Sequence, residues 1–479
     1  MRNRGSLVLV LTVVFCLSIV SGAMSPVVAQ TPGVELPAEL KQYQGKYTDE
    51  YLMWVSSIKE KYGGTTIKLL GFAHPGLEAM KKMTPDFEAL SGIKVEYDET
   101  NLEKVRDKFV MDYTAGAKSY DLVMTPEVVA PEFWNLGYLE PLNSWLEGTT
   151  DFVVPTGFDY KDLHPGYTMM FTNFKDGKVY AIPITGEVAL LFYRTDIFAE
   201  YGLEVPKTLD ELYETAKFIT DQKIEQQGKR VYGISFRGRP ALGGANWVFS
   251  IIVFSFGATL TDPSDHLTPT LTKNREAAIK TVDYLVKLAQ VGVPGIAAFD
   301  PYDAVNQFRQ GAAAMVIEAS VLAPATSDPN QTPVANVTGY AALPAGPAGS
   351  YNATFSHGIG MASSSKNKEA ALAYLIWMLG KANQGVYLES GGSPVRYSGM
   401  EDPVNQANLP YLKATLEGLN QAAALYQAGL VGPTPQTEHV LEFINVWAVN
   451  VSRALSGEIT PEQAVDNIQA EMEEIAAAK

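Results

Sequence analysis

Residue types that could do chemistry are sparse in this chain. Its five histidines, His74, His164, His266, His357 and His439, are scattered, without the paired helical spacing that holds zinc. Gly233-Ile234-Ser235 runs on into Phe236-Arg237, so the strained elbow of a serine hydrolase is missing, and no phosphate-cradling P-loop occurs. Asp262 and Asp265 share a polar stretch without EF-hand spacing, which reads as a solvated turn. Glu187 stands apart. It is a lone carboxylate between Gly186 and an apolar run, and a charge placed there needs a partner, either a salt bridge or a ligand. Glu187 and Glu318 could also face one another across a cleft, as the two carboxylates of a carbohydrate-cleaving enzyme do. These patterns predict neither a bound metal nor a cofactor.

The stretch from Asp176 to Thr220 has to position Glu187. Asp176-Gly177 is a hairpin-type turn signal. Val179 to Ile182 predicts a short strand ended by Pro183, which has no N–H for a ladder. Val188 to Tyr193 is a nearly continuous apolar run of strand length, as expected of a strand covered on both faces. Thr208 and Glu211 form a capping box, and Leu209, Leu212, Tyr213, Ala216 and Ile219 share one face of the helix that follows.

Ahead of this stretch, residues 30 to 62 combine a polar segment with a helix from Asp49 to Lys61. Strands are expected at Thr66 to Phe72, at Ile93 to Tyr97 and at Tyr120 to Met124, with helices between them, the first closed by Gly92. That alternation predicts a parallel sheet with helices on its faces. Further on, the pattern gives a strand at Tyr232 to Phe236, a helix from Asn246 to Phe256, and a helix capped by Thr272 and running to Val291. The C-terminal helix opens with the capping box of Thr460 and Gln463, with Pro461 in its first turn.

At 479 residues the chain exceeds one ordinary core and predicts two or more domains. Arg2 and Arg4, the apolar run from Leu7 to Val20 and the small residues ending at Ala29 have the order of a secretory leader cleaved after Ala29. Cys16, the only cysteine, falls inside that leader behind the bulky Val14-Phe15, which argues against a lipid anchor and leaves the mature chain without disulfides. The net charge of −16 repels nucleic acid and anionic lipid, and no basic cluster offsets it.

DGKVYAIP, FYRTDIF and GLEVPKTLDEL within the organising stretch resemble the signature of family 1 extracellular solute-binding proteins, the maltose-binding-protein-like receptors of ABC importers. Gly311 to Glu318, Pro344-Ala345-Gly346-Pro347 and Gly391 to Arg396 are similar to further segments of that family, so the matches run in order from about Thr66 to Ile475. The resemblance implies an α/β, two-lobe periplasmic-binding-protein fold of type II-like, discontinuous domains with a hinged cleft. It divides the chain into a signal peptide (1–29), an N-terminal linker and helix (30–64), a first lobe (65–184 with 341–384) and a second lobe (185–340 with 385–479). It also implies a monomeric periplasmic receptor that captures a sugar, oligosaccharide or polyol and hands it to membrane permease subunits. A secreted carbohydrate-cleaving enzyme, or a receptor for a non-sugar solute such as a polyamine, remains the alternative.

Binding a polyhydroxy molecule takes planar side chains that donate and accept in fixed directions, and an aromatic plate for its C–H surface. Carried onto this chain, the family's cleft positions single out Glu187 as a sugar-contacting acid or hinge salt bridge, and Asn246-Trp247 as a polar-then-aromatic platform or core residues. Thr125 and Glu127 follow one strand; Phe72 and His74 follow another. Glu318 and Ser320 stand where the family often has tryptophan, which favours a smaller, more polar ligand than a maltodextrin. His357, Arg396 and Gln436 complete the candidates, Arg396 as either a ligand contact or a structural ion pair.

Overall fold

A computed structural model of the protein describes residues 36–478 apart from Gln227; the leader and its cleavage point at Ala29 lie outside the described residues. Among the described residues ten strands are formed: β1 (Thr66–Phe72), β2 (Lys94–Thr100), β3 (Leu122–Pro126), β4 (Ala181–Arg194), a two-residue ribbon of β5 (Glu225–Gln226) and β6 (Lys229–Arg230), β7 (Tyr232–Ser235), β8 (Ala313–Ala319), β9 (Thr338–Ala342) and β10 (Thr354–Met361). As the alternation predicts, β1 pairs in parallel with both β2 and β3. The sheet then runs β2-β1-β3-β10-β4-β8-β7, with β9 also on β4.

Strand β4 holds the molecule together. Its first half, to Val188, pairs antiparallel with β10; its second half, from Ala189, lies between β8 and β9. One strand thus joins the two halves of the sheet and two hydrophobic cores. Val188, Leu190 and Phe192 enter the core that contains β1 and β3, whereas Ala189 and Leu191 enter the one built around Trp247, Phe249 and Trp447. This is why Val188 to Tyr193 carries no polar alternation.

Pro183 does not end a strand, contrary to the expectation from its missing N–H: β4 passes through it as part of a 14-residue element. A register shift between His357 and Gly358 accounts for this. His357 faces Thr185 while Gly358 faces Pro183, so Ile184 is skipped. The carbonyls left over find side-chain donors, Ile184 O from the Tyr387 hydroxyl and Thr185 O from Ser356 Oγ at 2.5 Å.

The helix expected at Asp49 forms as Asp49–Tyr62, capped by Thr48, and its face of Tyr51, Leu52, Val55 and Ile58 is buried. It packs on the helix Lys368–Leu379, where Tyr47 meets Trp377 at 4.6 Å and Tyr51 donates to Ile376 O. The described part of the N-terminal segment is therefore built into the first core. The capping boxes at Thr208 and Thr460 form as expected. Thr272 is not the cap of the helix Arg275–Gln290: the Asn274 side chain accepts from Ala277 N–H instead, and the Thr272 N–H bonds to Gln469 Oε1. Asn lies one tight turn further on, inside a 3₁₀ segment that periodicity does not reveal. Among the described residues no helix is long and apolar enough to cross a membrane.

Gly186, beside Glu187, has no room for a side chain, since a Cβ there would lie 2.1 Å from Cζ of the buried Tyr167. Gly186→Ala should therefore destabilise the protein by about 1–3 kcal/mol in urea unfolding. Unchanged stability would mean that Tyr167 can move aside.

Candidate ligand-binding site

The site forms where the sheet changes from one core to the other. Phe72 ends β1, and His74 caps the helix Pro75–Ser91, its Nδ1 accepting the Gly76 N–H at 3.2 Å. A neutral imidazole whose Nδ1 accepts must carry its proton on Nε2. That N–H faces Glu187 Oε1 on β4 across 4.0 Å. His357 on β10 stands edge-on to both Phe72 (5.1 Å) and His74 (5.0 Å). Its Nδ1 lies 3.6 Å from Oε2 of Glu127, which follows β3. Phe72, His74, Glu127, Glu187 and His357 are thus brought together by four separate elements and a helix cap.

The facing wall comes from the second core. Arg237, just past β7, chelates Glu318 on β8 through Nε (2.8 and 3.1 Å) and Nη2. Glu318 Oε1 also accepts from Ala319 N–H at 2.7 Å. The Arg237 guanidinium lies 4.0 Å over the Trp247 ring, which approaches Phe355 at 6.1 Å. Phe355 in turn pairs with Glu187 in the β10–β4 ladder, so the two walls meet there. Ser320 Oγ accepts the Val188 N–H at 3.3 Å, at the point where β4 changes partners.

Each buried acid is handled differently. Burial pushes Glu187 up, but the pull of His74, His357 and Arg237 outweighs it and holds the carboxyl below the usual range. Burial raises Glu318, and the Arg237 charge and hydrogen bond offset this only in part. Glu127 has no cation: burial, with Glu187 nearby, raises it to about 8 against the pull of backbone hydrogen bonds. His357 is driven by burial, and then by His74, down to about 3. At neutral pH Glu127 is protonated and His357 is neutral.

His74, Glu187 and His357 offer donor atoms within 4.8 Å of one another, a spacing that invites a metal reading. The tautomer of His74 opposes it. Nε2 presents a proton where a metal needs a lone pair, and a metal-bound histidine donates its other nitrogen rather than accepting there.

Four other sequence candidates have their polar atoms engaged elsewhere. Arg396, fully buried, donates to Leu379 O (2.9 and 2.7 Å) and Asp159 O (2.7 Å) and pairs with Asp162 at 3.5 Å, the structural alternative. Gln436 clasps the turn before β4, donating to Thr172 O and accepting from Phe174 N–H, while its own N–H goes to His266 Nδ1. Asn246 Oδ1 accepts from Gly244 N–H, and Thr125 Oγ1 donates to Val123 O. Trp247 is no open plate, because Arg237 covers the ring and leaves it 2% exposed. Sequence reasoning passed over Arg237 and Phe355. Arg237 follows a strand end as Glu127 does, so the rule that selected Glu127 would have found it.

Residues 74–385, more than half of the chain, match the profile of the bacterial extracellular solute-binding proteins. The chain belongs to that family. Its fold is the two-lobe α/β architecture of these receptors, and the family's members are substrate-binding proteins rather than enzymes. A "Probable amino-acid ABC transporter periplasmic-binding protein" of Sinorhizobium fredii is 26% identical over 439 residues, covering 87% of this chain and 91% of its own length. An ABC transporter solute-binding protein of Agrobacterium radiobacter, solved with ribitol, superposes with a TM-score of 0.71 at 25% identity, over 86% of this chain and all but 1% of that one (99%). One from Agrobacterium vitis with bound D-mannitol gives a TM-score of 0.69 at 26% identity, over 86% and 98%.

Replacing Arg396 with methionine should lower stability by about 2–4 kcal/mol, because buried carbonyls lose their donors. Ligand affinity, measured calorimetrically, should stay within about twofold. A large loss of affinity in a fully folded Arg396→Met protein would return Arg396 to the binding site.

Proposed function

We propose that this receptor captures an uncharged sugar or polyol between its lobes and delivers it to the permease of an ABC importer, acting as a periplasmic monomer after its leader is removed. The observation that carries the reading is that the site holds no uncommitted cation and leaves several buried polar atoms unpaired. Glu318 is answered by Arg237 and Glu127 by a proton, while Glu187 faces the Nε2–H of His74 and no cation of its own. An anionic solute would meet no free cation, whereas hydroxyls would meet buried donors and acceptors that still need partners. Glu127 Oε2, His357 Nδ1 and Trp247 Nε1 are such atoms.

In this reading Phe72, His74, Glu127 and His357 contribute from the first lobe, and Arg237, Trp247 and Glu318 from the second, with Glu187 on the strand between them. Contacts from both lobes favour the arrangement that encloses the solute, so binding shifts the population toward closure. The solved relatives with ribitol and D-mannitol support a polyol, and the covered ring of Trp247 fits a slender ligand. An amino acid, as the Sinorhizobium fredii relative's name suggests for that protein, would require Arg237 to leave Glu318. Cleavage of a glycoside by Glu187 and Glu318 is opposed by the same chelation, which occupies both oxygens of Glu318.

Thermal-shift screening of the full chain against ribitol, D-mannitol, monosaccharides, maltose, amino acids and spermidine tests the proposal. A cognate polyol at one hundred times its Kd should add about 2.7 kcal/mol of stability. Stabilisation by an amino acid or spermidine alone would overturn it. Glu187→Ala should weaken polyol binding by about tenfold to a hundredfold, the worth of a hydrogen bond to a charged group, in calorimetric titration.

A further inference from the structure

Two polar atoms in the cleft are buried, unpaired and close together. Glu127 Oε2 and His357 Nδ1 are 3.6 Å apart, and neither has a hydrogen-bond partner. The gap is too long for a good direct bond, yet one hydroxyl can donate to one atom and accept from the other. We propose that Glu127 recognises the ligand as a neutral acid, donating its proton to a ligand hydroxyl that in turn donates to Nδ1 of His357. This inference rests on the polyol reading and names the group that makes capture depend on a proton.

The surroundings of Glu127 support it. His357 faces it from β10 and is neutral, Glu187 on β4 repels its ionised form, and the Tyr426 phenol stands near it from the helix Leu412–Gln427. No cation is among them. Ionised Glu127 could only accept from the hydroxyl, His357 would have to move its proton to Nδ1 to complete the pair, and a buried charge would be left beside Glu187. With the carboxyl raised to about 8, the competent form predominates below that pH, and above it each ligand bound must bring a proton with it. Affinity is therefore flat on the acid side and falls as pH rises.

Calorimetric titration of D-mannitol and ribitol between pH 6.5 and 9.5 tests this. The Kd should hold constant to about pH 7.5 and then weaken about tenfold per unit beyond about pH 8.5. Buffers of different ionisation enthalpy should report uptake approaching one proton per ligand at pH 9. Glu127→Gln, which keeps an N–H donor, should bind within about threefold of wild type at pH 7 and lose the pH dependence, whereas Glu127→Leu should lose at least about tenfold. A flat wild-type profile, or an equally steep one in Glu127→Gln, would overturn the proposal. If neither polyol binds at any pH, the polyol reading fails instead. The state of Glu127 is then read in the free protein by carbon NMR of its carboxyl, where titration below pH 6 would overturn the neutral acid independently.

Discussion

A strand that changes partners midway has to answer for every backbone group at the crossing. In β4 the change falls at Glu187 and Val188, where the ladder to β10 stops and those to β8 and β9 begin. The Val188 N–H is taken by a serine hydroxyl, and the carbonyl of the skipped Ile184 by a tyrosine hydroxyl. Side chains thus complete what the sheets cannot. The consequence is a fixed place, between two cores, where a carboxylate can project without weakening either sheet. The site inherits its position from that crossing.

Such a place is hostile to charge, and the cleft meets the difficulty three ways: by a chelated guanidinium at Glu318, by surrounding polar rings at Glu187, and by protonation at Glu127. The chelated pair is the most rigid of these. Breaking it by removing one partner would leave a buried charge, a loss of about 3–5 kcal/mol. Arg237 is thereby held flat over Trp247, so an aromatic that would otherwise stack on a sugar ring becomes the support of a cation.

Much of the fold was legible because local rules agreed with it. The strand at Thr66–Phe72, the helix at Lys368–Leu379 and the boxes at Thr208 and Thr460 are set by periodicity and capping chemistry within a few residues of chain. Pro183 misled because a bulge is a property of two strands, and its other half, His357-Gly358, lies far along the sequence. The candidate site was legible in part for the same reason. Glu187, Glu127, His74 and His357 stand at strand ends or beside glycine, which marks them locally. The commitment of Arg396 to Leu379 O and of Gln436 to Thr172 O depends on carbonyls brought from distant segments, and no spacing announces it.

The polar atoms left without partners in the cleft bear on how such a receptor works. Each costs about 1–3 kcal/mol while it stays dry and unpaired, so the two walls gain little by meeting around nothing. A solute carrying a hydroxyl on each carbon removes several of these penalties at once and only when both walls are present. An apolar molecule of the same length would leave them in place, and an anionic one would bring a second charge beside Glu187. Selectivity and closure then follow from one cause: under this proposal the hydrogen bonds that the protein withholds from itself are the ones that it keeps for its cargo.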